Sequence, residues 1–418
     1  MSGVEVRARA GLQKITASAL GPYQSAVIRI GFSATWLLFL LREFPHRQEL
    51  YGPDAPWSWD LARQLIADNH AFTTLMWSDG QAWFETVYAA AVLVSALLML
   101  GWRTRAMAVL FMVGVLSLQN RSVFVGDGGD NVLHLMSIYL VFTRCGQVWS
   151  LDARRAARAR AAGRTDEETV ADDRVGPVLW SVLGAALVFL TVTGQSDFTW
   201  RFLLDPPVVP LVLWSVWLGC GLWWYAQRRG SRDLRLLCDV VTNTAHNAAL
   251  SVIMVEACLV YATAGWYKIQ GTRWQDGTAV YYPLHLDYFS PWPALGDLMT
   301  RFGLMVLIVT YVTVAVQVAF PFTVFNRRLK NVLLVFMMTE HAVIAVTLGL
   351  PFFSLAMITT DAVFLPTSFL RRVGGWVGRA CGRPFSRAGS ENGVELPARR
   401  PEPDPAGPPV AQPPPARP

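Results

Sequence analysis

NAALSVIMVEACLVYATAGWYK, residues 247–268, decides the fold class. At ~1.5 Å per residue a helix over this run spans the roughly 30 Å hydrocarbon core of a bilayer. Its apolar residues are not confined to one stripe, as they are on the surface helix of a soluble domain, so the segment has to be surrounded on all sides. One carboxylate, Glu256, interrupts it, and Lys268 closes it. Nine more apolar runs stand at 25–41, 83–101, 106–120, 131–143, 176–194, 208–226, 303–322, 331–349 and, more weakly, 352–366. The 106–120, 131–143 and 352–366 runs are short for independent spanning and read as tilted, re-entrant or continued by neighbouring polar turns. The expected fold is all-α: a polytopic transmembrane bundle of about eight to ten helices over 25–366.

Composition agrees. Of the 418 residues, 53% are hydrophobic and only 16% charged, with 17 tryptophans and a positive mean hydropathy. Soluble domains carry about 25% charged residues. The formal charge of +6 is spread between apolar runs rather than gathered on one face, which excludes a nucleic-acid binder. The five cysteines, at 145, 220, 238, 258 and 381, show no CxxC or Cys/His spacing, so neither a zinc site nor a disulfide framework is indicated.

Orientation follows from the connections, because Lys/Arg-rich loops stay cytoplasmic. With ten spans and a cytoplasmic start, most of the 36 lysines and arginines fall on the inner side: residues 1–24, Arg103 and Arg105, the 144–175 loop, Arg228 to Arg235, Arg327 to Lys330, and the tail. A multi-pass cell-membrane protein with both termini cytoplasmic is expected, and 1–24 shows no secretion signal. Trp57, Trp59, Trp77, Trp83, Trp274 and Trp292 then mark the outer edge, and Trp102, Trp149, Trp223 and Trp224 the inner one, as in aromatic belts. Loops 42–82 and 269–302 are too apolar to float in water and are expected to pack as an outer cap. The 144–175 connection, with its Ala/Arg repeat, reads either as a solvated basic loop or as an amphipathic interfacial helix. The Pro-rich segment 378–418 is expected to be a disordered cytoplasmic tail.

An ionised group at mid-bilayer costs at least about 2.5 kcal/mol, so each one needs a partner, water or a function. Candidates are Arg29, Asp130 and His134, His246 and Glu256, Lys268, Glu340 and His341, and Asp361. Lys268 shares a helical stripe with Tyr261 and with Ala264 and Gly265, two small residues that let a neighbouring helix approach. It either snorkels to headgroups or, partly desolvated, works as a general base. In GDGGDNVLHLMSIYL (126–140), Asp130 and Asn131 can cap the following helix, and His134 lies on their face. His134 is thus either incidental or oriented by a carboxylate for proton transfer. Glu340 and His341 point about 100° apart and so belong to different contacts. Arg29 is expected to snorkel or to pair with an acid on another helix. No HExxH or HxH spacing supports a metal.

At these residues the chain resembles a known family. The run from Gly126 to VWSLD (148–152), VYATAGWYKIQGTRWQDG (260–277), YYPLHLDYFSPW (281–292) and EHAVIAVTLGLPFFSLAMI (340–358) are similar to the membrane domain shared by vitamin K-dependent gamma-carboxylases and bacterial HTTM proteins, among them SdpB-type peptide-maturation factors. Ala264, Gly265, Lys268 and Trp274 carry its sharpest motif. The resemblance implies a helical bundle with a reactive chamber on the outer side. It assigns Lys268 as the base acting on a reduced quinone of menaquinone or vitamin K type, His134 as its assistant, and Tyr261, Trp274 and His341 as cofactor-binding residues. No metal is expected, and a secreted peptide is the implied partner. Tyr267 stands where the carboxylases have a second lysine, and a Pro-rich segment follows where they carry a large lumenal domain. A related quinone-linked or peptide-modifying step is therefore expected rather than gamma-glutamyl carboxylation itself. The alternative is a non-catalytic maturation, export or immunity partner of a secreted peptide. Secondary transport ranks last because no internal repeat is visible.

Overall fold

In the computed structural model, residues 3–69, 71–165, 175–192 and 208–380 are described, and among them every regular element is helical. Numbering the longer helices in chain order gives α1 (Gly3–Ala17), α2 (Pro22–Glu43), α3 (Gln81–Leu100), α4 (Thr104–Arg121), α5 (Gly128–Val141), α6 (Leu151–Ala161), α7 (Val175–Val192) and α8 (Val208–Arg229). They continue with α9 (Arg232–Gln270), α10 (Gly303–Thr323), α11 (Arg327–Thr347), α12 (Pro351–Asp361) and α13 (Thr367–Ala380). Each of the ten apolar runs is largely helical over its described residues, although the 352–366 run passes from α12 through a 3-10 turn to a break at Pro366. Among the described residues five helices are long and apolar enough to cross a membrane: α2 with its continuation to Tyr51, α3, α9, α10 and α11. A sixth is counted if α12 and α13, bent by 119° at Pro366, form one broken span. Part of the difference from eight to ten lies in length. At ~1.5 Å per residue, helices the size of α5 and α12 fall short of a ~30 Å core. The Pro-rich segment expected to be a disordered tail lies, from residue 381 on, outside the described residues.

The helices pack in two runs joined by α12. α2 packs on α3, α3 on α4 and α4 on α5, while α9 packs on α10 and α10 on α11; α12 lies against α2, α5 and α11. Phe32, Trp36, Leu40, Leu98, Leu118 and Phe320 are enclosed between them. The closest approach of α2 and α12 is set by Gly31, where a Cβ would lie 2.3 Å from Thr359 Oγ1.

Alternating helix directions give the bundle two chemically different ends. At one end loop residues are bonded to side chains of the helices. Arg121, at the last turn of α4, donates to the carbonyls of Gly52 (2.7 Å) and Trp57 (3.0 Å), and Asn120 donates to that of Phe72 (2.7 Å). In the other loop, Pro291 lies against Gly349 between α11 and α12. Tyr311 of α10 donates to the Gln275 carbonyl. Buried loop backbone is thus satisfied by side chains of the helices beneath it.

The opposite end gathers the basic connections. Ser150 caps α6, and Asp152 accepts from the backbone N–H groups of Arg103 (2.9 Å) and Thr104 (2.8 Å), fastening α6 to the α3–α4 turn. Within the 144–175 loop Leu151–Ala161 is helical, while 166–174 lies outside the described residues. α9 is far longer than its apolar run: ~1.5 Å per residue over Arg232–Gln270 gives roughly 58 Å. Its added first turns carry α1. Asn247 donates to the Ile15 and Ser18 carbonyls and accepts from Leu20 N–H, and Asn243 donates to Thr16 O. His246 accepts from Arg144 N–H at Nδ1 (2.8 Å) and contacts Leu20 O through Nε2 (2.7 Å), so it joins three chain segments. The carbonyls at the end of α1, orphaned by helix termination, are thereby satisfied.

Arg29 departs from its expected role. It is wholly enclosed, neither reaching solvent nor meeting a carboxylate, and its Nη2 donates to the Trp149 carbonyl at 2.7 Å. Gly101 is held in the left-handed region (φ 74°) beside it, and a Cβ there would meet Arg29 Nη1 at 2.0 Å. The cap of α5 also differs in detail. Asp127, not Asp130 or Asn131, is the N-cap, accepting from Gly129 N–H, while Asp130 accepts from Asp127 N–H at 2.7 Å to complete a capping box.

Candidate functional site

Two hydrogen-bonded chains meet at adjacent residues of α11. The first begins at Lys268, two residues before the end of α9. Gly271 ends the helix and donates back to the Lys268 carbonyl (3.1 Å), turning the chain into the short helix 272–275. That turn brings the Trp274 ring to Lys268, with Nζ 5.2 Å from the ring centroid. Lys268 Nζ donates to Gln317 Oε1 on α10 at 2.7 Å, and Gln317 Nε2 donates to Glu340 Oε1 on α11 at 2.8 Å. The amide is oriented with its carbonyl toward the cation and its N–H toward the anion, the sense that electrostatics favours. Gly265, one turn earlier, permits this. A Cβ there would stand 2.6 Å from Val318 Cγ2, so α9 and α10 touch flush beside Gln317.

The second chain is more deeply enclosed. Tyr261, His341 and Asp361 are 1%, 3% and 0% exposed. Tyr261 donates its hydroxyl proton to Asp361 Oδ1 at 2.9 Å, and His341 Nε2 lies 3.1 Å from the Tyr261 hydroxyl oxygen. A hydroxyl has one proton to give, so with that proton on Asp361 the imidazole donates from Nε2, leaving Nδ1 as an acceptor. Among the described residues His341 Nδ1 and Asp361 Oδ2 have no hydrogen-bond partner. Glu340 and His341 therefore serve different contacts, as their 100° separation requires.

Of the residues chosen from sequence, the structure brings Lys268 to Trp274 and Tyr261 to His341. His134 stands with other groups. Its Nδ1 is 3.2 Å from Gln119 Oε1, and Gln119 Nε2 is 3.2 Å from the Asp130 carbonyl. A glutamine amide touches the imidazole, and the same amide donates to Asp130 Oδ1 at 3.3 Å, so the carboxylate reaches His134 only through Gln119. His134 and Lys268 share no hydrogen-bond partner among the described residues; the groups standing behind Lys268 are Gln317 and Glu340.

Gln317 escaped the sequence reading because that reading weighed ionisable groups alone. Its signal is visible in VAVQVAF, a lone amide inside an uninterrupted apolar run. Asp361 was visible as an intramembrane acid but had no partner in sequence space. Two small cavities open nearby. One, of about 10 Å³, lies between α2, α5 and α12 beside Trp36, Asp130, Leu133 and Phe352; the other, also of about 10 Å³, lies under the 42–82 loop beside Tyr51, Trp59 and Arg121. Neither is lined by Lys268, Tyr261 or His341. Among the described residues no group of three or more His, Cys, Asp or Glu side chains is placed to hold a metal ion.

Comparison with protein-family models, with curated proteins and with solved structures returns no match.

Proposed function

We propose that this chain is a multi-pass membrane protein of the gamma-carboxylase and HTTM type, both termini cytoplasmic and the Lys268 end outside. In this reading it acts on a reduced quinone of menaquinone or vitamin K class in a step that modifies a secreted peptide. The observation that carries the reading is the Lys268–Gln317–Glu340 chain beneath the Trp274 ring. An amine beside an aromatic plane fits an acidic hydroxyl on a flat ring. Lys268 is half-buried with exposed Trp266 and Tyr267 next to it, so the approach is from the lipid side. The bound quinol would supply the redox chemistry. Lys268 Nζ, when neutral, takes a proton from an acidic hydroxyl; Gln317 Oε1 then holds the resulting ammonium, and Glu340 balances its charge through the amide. Trp274 covers the amine against water. His134, at the Gln119 site, is a second proton-handling group rather than a direct partner of the base.

The test compares wild type with Lys268→Met at matched membrane abundance, following air oxidation of added menaquinol by its absorbance. General-base catalysis is worth about 100- to 10,000-fold, so the variant should lose at least about two orders of magnitude. A variant as fast as wild type, or a wild type with no acceleration, refutes the proposal. Lost abundance in Lys268→Met would mark a structural lysine.

A second reading, a non-catalytic maturation, export or immunity partner of a secreted peptide, puts function in the 42–82 and 269–302 loops, which Asn120, Arg121 and Tyr311 fasten to the helices beneath them. Under it Lys268→Met is tolerated and function follows those loops.

A further inference from the structure

α13 has two faces with different fates. Leu370, Gly374 and Gly378, at i, i+4 and i+8, are buried. Gly374 lies flush on the Trp149 indole, where a Cβ would be 2.5 Å from Cζ2. This seats α13 at the basic end of the bundle, on the residue whose carbonyl receives Arg29 and which precedes the Ser150 N-cap of α6. The 119° bend after α12 turns its axis out of line with the preceding helix.

The next stripe round the helix is apolar and uncovered. Phe369, Trp376 and Val377 are 45%, 58% and 50% exposed, with Val373 half-buried among them. Arg372 and Arg379 flank this stripe beside Trp376 and Arg371 stands opposite it, all three exposed. Arg371 extends over the Tyr23 ring of α2, 5.7 Å from its centroid. Exposed Arg155 and Arg158 of α6 stand at the same end. A short helix with an aromatic stripe and arginines beside and opposite it suits the boundary between acyl chains and anionic headgroups.

We propose that α13 is an interfacial helix that beds Phe369, Trp376 and Val377 in the cytoplasmic leaflet, and that its arginines select anionic phospholipid there. The inference rests on the membrane-spanning part of the functional reading and is independent of the chemistry at Lys268. Its partner is the lipid surface. Charge complementarity points to it, as does the position of α13 against α2 at the basic end of the bundle. A protein partner or a second copy would need a complementary acidic face.

The test places the photo-crosslinking residue p-benzoylphenylalanine in the full-length protein, in nanodiscs of phosphatidylcholine mixed with phosphatidylglycerol, with adducts read by mass spectrometry. Trp376→p-benzoylphenylalanine should form phospholipid adducts in which phosphatidylglycerol is enriched at least about twofold over its share of the bilayer. The enrichment should vanish when Arg371, Arg372 and Arg379 are all changed to Gln, while the adduct itself remains. A probe at Leu93, an exposed position of α3, serves as reference and should react with lipid irrespective of headgroup. Protein adducts or none at 376, with lipid adducts at 93, overturn the proposal. Absence of lipid adducts at both positions overturns the membrane reading itself. Because the probe goes into an otherwise native helix, a second position, Phe369, checks the outcome if 376 folds poorly.

Discussion

Gly265→Ala tests whether the α9–α10 contact holds the Lys268 site together. The added Cβ would lie 2.6 Å from Val318 Cγ2, 3.3 Å from Val318 N and 3.5 Å from its Cα. Carbon atoms rest at about 3.5–4.0 Å, so the shortfall at Cγ2 is on the order of 1 Å. Val318 is β-branched and stiff, and its backbone stands directly behind the side chain, so rotation alone does not clear the clash. α10 has to move away. The Lys268–Gln317 bond of 2.7 Å arises one residue from Val318, and a displacement of about 1 Å takes it past the hydrogen-bond limit. Overpacking costs about 1–3 kcal/mol. Ala gains up to about 1 kcal/mol over Gly in a helix interior, too little to reverse the sign once the hydrogen bond also lengthens. The expected result is a net loss of roughly 1–3 kcal/mol in equilibrium unfolding in mixed micelles. Gly303→Ala is the control, since nothing stands within 4 Å of a Cβ there, and it should be neutral or slightly stabilising. Adding Val318→Ala to Gly265→Ala should recover much of the loss. If Gly265→Ala matches or exceeds wild-type stability, or if Val318→Ala fails to rescue it, the close-approach argument is wrong.

Gln317→Leu leaves Lys268 and Glu340 without the amide between them and should cost about 1–3 kcal/mol, whereas Gln317→Asn, shorter but able to bond, should cost less; unfolding of the pair side by side decides this. Tyr261→Phe strips Asp361 of the donor on Oδ1, so Tyr261→Phe and Asp361→Asn should be non-additive by about 0.5–3 kcal/mol in a double-mutant cycle, and additive losses would mean the two do not interact. His246→Ala should release α1 from α9, read as faster protease cleavage within 15–21 with little effect on the Lys268 end; unchanged cleavage would show that Asn243 and Asn247 suffice.

Apolar runs made the helices legible because burial in an apolar surrounding is a property of each segment on its own. Their lengths were less so. The first turns of α9 are polar and carry Arg232, Asp233 and Asp239, so hydropathy ends where the helix does not. α13 is short and dilute in apolar residues, and only its helical periodicity, with Phe369, Val373 and Trp376 on one side, marks it. Lys268 with Gly265 was readable from spacing, as was the divergence of Glu340 and His341. Pairings between distant helices were not: nothing in VAVQVAF says that Gln317 meets residues 49 and 23 positions away. Arg29 was misjudged for the same reason. A backbone carbonyl at Trp149, freed by a left-handed turn (φ 52°), leaves no trace in side-chain identity.

α9 has no proline and no glycine before Gly265. His246 and Lys268 therefore ride on one unjointed rod, separated by roughly 33 Å at 1.5 Å per residue. A rod without a hinge does not absorb a tilt; it passes it on. Any pull on the amino-terminal helix at one face of the bundle becomes, by leverage, a sideways step of the amine at the other.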